Sequence, residues 1–79
     1  MDTILLAIGA AIRRARDAAG ISQEELAALA GVHRTYIGGV ERGERNVGIK
    51  NLVAIARALK VPPAEFLRDL GSATHKRQR

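Results

Sequence analysis

The sequence predicts an all-α fold of five short helices, and three observations carry that prediction. Apolar residues recur at helical spacing almost throughout, no stretch alternates apolar and polar over strand length, and glycines or prolines stand where each apolar stripe stops. Asp2 or Thr3 can cap a first helix, in which Ile4, Ile8, Ile12 and Ala15 form one stripe, with Arg13, Arg14 and Asp17 mostly off it; Gly20 is its natural stop. Ser22 caps a second helix over about 23–30, and Glu25 completes the Ser-x-x-Glu capping box. Ile21 can staple onto Leu26, and Gly31 ends the helix. A third helix runs over about 34–42, with His33 at its cap and Ile37 and Val40 on its inner edge. Arg34, Thr35, Gly38, Gly39 and Arg42 form its outer face, and Gly43 stops it. After a loop at 43–48, Leu52, Ile55, Ala56 and Leu59 give the stripe of a fourth helix over about 49–59. Pro62 and Pro63 stop that helix and open a fifth, which carries Glu65, Phe66, Leu67 and Leu70 and ends near Gly71. Residues 1–71 thus form one small domain, and the basic stretch 72–79 is expected to be a disordered tail.

Composition narrows the chemistry. The chain has 79 residues and no cysteine, which removes disulfides, thiol catalysis and thiolate metal sites. Two histidines, His33 and His75, are too few for a histidine-based zinc site without several carboxylates. No nucleophile–base pair, metal cluster or phosphate-cradling glycine loop is present, so neither an enzyme nor a cofactor is expected, and no residues remain for a separate small-molecule effector domain. The uncharged run from Ile4 to Ile12 is far shorter than the ~20 residues of a membrane span, and Asp2 with no arginine before Arg13 is a poor secretory start; a cytoplasmic protein is expected. The formal charge of +5 suggests an anionic partner, yet Lys76, Arg77 and Arg79 supply much of it from the last four residues. The placement of the remaining charges has to decide.

The informative segment is Ser22 to Gly43, SQEELAALAGVHRTYIGGVERG. Two helices of about eight residues meet at a short glycine-containing turn, with a small residue, Ala27, where the second must cross closely. That is a helix-turn-helix pattern, in which one helix rests across the DNA backbone and the next projects its outer face into the major groove.

Gln23–Glu24–Glu25–Leu26–Ala27, Gly31 and Glu41–Arg42–Gly43 resemble the Cro/C1-type (lambda-repressor-like, XRE) helix-turn-helix family over roughly residues 5–70. Arg34–Thr35–Tyr36–Ile37, then Arg45–Asn46 and Ile49–Lys50, resemble the controller proteins of bacterial restriction–modification systems. The resemblance implies a dimeric transcriptional regulator that binds double-stranded DNA. It implies a phosphate contact for Gln23 at a helix N-terminus, base readout by Arg34 and Thr35, and a backbone contact for Tyr36. It implies backbone or minor-groove-edge contacts for Arg45 with Asn46 nearby, and makes Lys50 and Asn51 phosphate neighbours. Position 39 often carries a base-touching polar side chain in this family; Gly39 offers none, so either the third helix approaches the groove more closely or fewer bases are read. Arg16 and Glu41 match a structural ion pair between the first helix and the end of the third. Ile49, Val53, Leu67 and Leu70 are candidates for a homodimer interface, or else further core. Rival readings are a phage-type repressor or an antitoxin with the same DNA chemistry, a helical protein-interaction module without DNA binding, and a basic membrane-surface helix, for which the first helix offers only Arg13, Arg14 and Arg16.

Overall fold

The computed structural model describes residues 2–70. Four α-helices, α1 (Thr3–Ala19), α2 (Gln23–Ala30), α3 (Arg34–Glu41) and α4 (Ile49–Leu59), are followed by a 3-10 segment, Pro63–Leu67, that continues into helical residues 68–70. No strand occurs among the described residues. The expected fifth helix is present and opens as a 3-10 turn. The Glu65 N–H donates to the Pro62 carbonyl three residues back at 2.9 Å, with Pro63 in the first turn, where its missing N–H is unused. The expected stop at Gly71 and the tail at 72–79 lie outside the described residues.

Local chemistry explains the helix ends. The Asp2 carboxylate accepts from the Ile4 and Leu5 N–H groups, which settles the first cap on Asp2. Both halves of the capping box form at α2: Glu25 N–H donates to Ser22 Oγ at 3.0 Å, and Ser22 N–H donates to Glu25 Oε1 at 2.8 Å. Replacing Ser22 by alanine is expected to cost about 1 kcal/mol, read as a fall in the thermal midpoint of roughly 4–8 °C by circular dichroism. The turn between α2 and α3 depends on Gly31, whose φ of 75° is the left-handed conformation that a side chain resists. His33 stands at the N-cap of α3 but makes no side-chain cap bond, and α3 ends at Glu41 with Arg42 as its cap. It is Lys60, not a proline, that ends α4, in a left-handed conformation with φ 60°.

The core is Ile8, Ala11 and Ile12 from α1, Leu26 and Ala27 from α2, Ile37 and Val40 from α3, Leu52, Ile55, Ala56 and Leu59 from α4, and Val47 and Phe66 from the connections. α2 packs on α3 and α4, while α1 packs on α3, α4 and the 3-10 segment. One expected core position is wrong: Ile4 is 54% exposed. At 1.5 Å per residue the 17 residues of α1 far outreach the 8 of α3, so the first turn of α1 overhangs its support. Farther along, Gly9 is buried where α1 crosses the end of α3; a β-carbon there would stand 2.7 Å from the Glu41 carbonyl oxygen and nearer still to that of Val40.

Candidate nucleic-acid interface

The site begins at a buried ionic node. Glu41, the last residue of α3, is the one buried charged residue among those described. Arg16 of α1 grips it with two bonds, Nε to Oε2 at 2.7 Å and a terminal nitrogen to Oε1 at 3.1 Å. A second terminal nitrogen of Arg16 donates to the Ile21 carbonyl in the α1–α2 turn at 2.9 Å. The hydrogen bond to Glu41 raises the Arg16 guanidinium above its ordinary range, against the burial that would lower it. Gln23, the first residue of α2, donates its side-chain amide to Glu41 Oε1 at 3.0 Å. One carboxylate thus binds α1, α2 and α3 together, and it orients the amide at the N-terminus of α2.

From Gln23 a continuous surface runs along α3. Arg16, Ser22, Gln23, Glu24 and Arg34 line one open cleft. Gln23 Oε1 lies over Gly38, where a β-carbon would be 3.5 Å away, and the Arg42 guanidinium covers the same spot. Arg45 from the following loop covers Gly39. The Arg45 guanidinium sits over the Tyr36 ring, 5.9 Å from its centroid, and Asn51 of α4 donates its amide to the Tyr36 hydroxyl at 3.0 Å.

Gly38 and Gly39, expected on an open outer face, are therefore buried, because the Gln23, Arg42 and Arg45 side chains lie across them. Arg34, Thr35, Arg45, Asn46 and Lys50 are exposed, and Tyr36 and Gln23 are half-buried, with Tyr36 packed against the core. Glu44 pairs with Arg42 at 3.1 Å. Among the described residues, Arg34, Arg45 and Lys50 have no carboxylate within ion-pair distance. Asn51, expected as a phosphate neighbour, fixes Tyr36 in the structure; this side-chain bond between α3 and α4 has no signature in sequence spacing. The Gln23–Glu41 bond was equally invisible, because it joins the start of one helix to the end of the next. Of the suggested interface residues, Ile49 is 74% exposed and Leu67 41% exposed, while Val53 is half-buried and Leu70 packs partly on the core. No helix among the described residues is long and apolar enough to cross a membrane.

Comparison with known proteins gives the same picture. The helix-turn-helix family profile matches residues 12–66. Control protein C.SmaI of Serratia marcescens is 45% identical over 60 residues, spanning 76% of this chain and 71% of that protein. Control protein C.BamHI of Bacillus amyloliquefaciens is 42% identical over 67 residues, spanning 84% and 83%. The crystal structure of the restriction–modification controller protein C.AhdI from Aeromonas hydrophila superposes with a TM-score of 0.81 at 46% identity, covering 82% of this chain and 98% of that one. The capped helix pair, the turn at Gly31 and these relatives lead to one conclusion: the chain belongs to the helix-turn-helix family of transcriptional regulators that includes the restriction–modification controller proteins.

Proposed function

We propose that this chain is a sequence-specific DNA-binding regulator that controls a restriction–modification operon as a homodimer on a two-fold operator. The observation that carries the reading is the convergence of Gln23, Arg34, Tyr36 and Arg45 on one surface whose cations Arg34, Arg45 and Lys50 pair with no carboxylate among the described residues. In this reading Gln23 uses its remaining amide N–H, with the free backbone N–H groups of α2, on a phosphate. Arg34 and Thr35 read base edges, the arginine by a two-bond contact to guanine O6 and N7. Tyr36, Asn46 and Lys50 contact the backbone and position the helix. One eight-residue helix spans few base pairs, so a two-fold pair with half-sites ~34–36 Å apart supplies the rest of the site. Ile49 and Leu67, large apolar side chains left in water, are suited to that pairing, with Val53 and Leu70 beside them.

The test is selection of bound sites from random duplexes, followed by salt titration. Arg34→Ala is expected to relax the preference at one position per half-site by ~1–3 kcal/mol. Lys50→Ala is expected to weaken all sequences alike and to reduce the salt slope by about one. Identical behaviour of the two variants contradicts this division of roles.

A further inference from the structure

Position 39 lies on the same side of α3 as Thr35 and Tyr36, four and three residues before it. A side chain there would meet the stem of Arg45, which lies across this position. We propose that Gly39 sets base preference through the side chain it lacks: its bare backbone seats the stem of Arg45, which brings a loop guanidinium onto the groove-facing side of α3 as a second base reader. This inference rests on the DNA-binding reading and goes beyond the backbone or minor-groove-edge contact that family resemblance implies for Arg45.

Four observations carry it. The three atoms nearest to a β-carbon built on Gly39 all belong to Arg45, with Cγ at 2.8 Å and Cβ and Cδ at 3.7 Å. The stem of Arg45 thus occupies the space that any other residue at 39 would claim. The guanidinium then rests over the Tyr36 ring, and that ring is held in turn by Asn51. Arg45 is exposed and pairs with no carboxylate among the described residues, whereas the nearby Arg42 is engaged by Glu44. A planar five-donor fork lying over an aromatic ring at 5.9 Å from its centroid, and free of a counter-charge among the described residues, has the donors for two-bond recognition of a guanine edge. Position 39 is a positioning site in this scheme; Arg45 makes the contact.

The experiment is site selection with the wild-type chain, Gly39→Ala, Arg45→Ala and the double variant, each with its melting curve. Gly39→Ala is expected to melt close to the wild type, because the gain from alanine as the better helix former is set against the shift that its methyl, 2.8 Å from Arg45 Cγ, imposes on the Arg45 stem. It is nevertheless expected to lose about tenfold or more of the preference at one base pair per half-site. Arg45→Ala should lose preference at that same base pair, and the double variant should match Arg45→Ala. Full retention of that preference by Gly39→Ala, or an equal loss for all sequences in Arg45→Ala, overturns the inference and leaves DNA binding standing. A wild-type chain that enriches no sequence overturns both.

Discussion

Glu41→Ala is expected to lose about 3–5 kcal/mol of folding stability, the cost of leaving a buried charge without its partner. The Glu41 side chain is 3% exposed and that of Arg16 12%. Removing the carboxylate strands a guanidinium that made two bonds to it, and it frees the Gln23 amide as well. A chain of 79 residues has only about 4–12 kcal/mol in total, so the variant approaches the unfolding threshold at room temperature. Urea denaturation followed by circular dichroism reads the effect. The double variant Arg16→Met/Glu41→Leu should be milder than either single change, because it removes both charges and keeps apolar volume. Additive losses in the double variant, or a Glu41→Ala loss below ~1 kcal/mol, would show that the pair is not coupled as its geometry requires.

Gly9→Ala is the second large effect, and its sign opposes intrinsic propensity. Alanine improves on glycine in a helix interior by about 1 kcal/mol. Here the new methyl would meet main chain: the Glu41 carbonyl oxygen at 2.7 Å, its carbon at 2.9 Å, and the Val40 carbonyl closer than either. Carbonyls at the end of a helix cannot rotate aside, so α1 and α3 must separate, which strains the Arg16–Glu41 bonds beside the contact. The expected net loss is ~2 kcal/mol, a fall in thermal midpoint of roughly 10 °C. A Gly9→Ala chain as stable as wild type would disprove the close crossing. Gly39→Ala is the internal comparison, since the same substitution there meets the Arg45 side-chain stem and no main chain.

The difference between those two glycines also marks what the sequence could tell. Helix ends were legible because their chemistry is local: Asp2, the Ser22–Glu25 box and Gly31 act within three or four residues of themselves. The stripes of α2, α3 and α4 were legible because one face of each meets the core along its length. Ile4 misled because periodicity gives the direction of a side chain and not where the neighbouring helix stops. Gly9, the cover over Gly38 and Gly39, and the Tyr36–Asn51 bond are encounters between segments distant in sequence, and no spacing rule reports them. The Arg16–Glu41 pair was accessible only through family resemblance.

The carboxylate at the end of α3 also separates what can vary from what cannot. Arg34, Thr35 and Arg45 are exposed, and none of them supplies a residue to the apolar core. On the proposed reading, substitutions among them retarget the protein to a new operator at little risk to folding, whereas changes at 9, 16 or 41 endanger the scaffold before any operator is tested. A repertoire of divergent specificities is therefore reachable from this one frame by stepwise change at its rim.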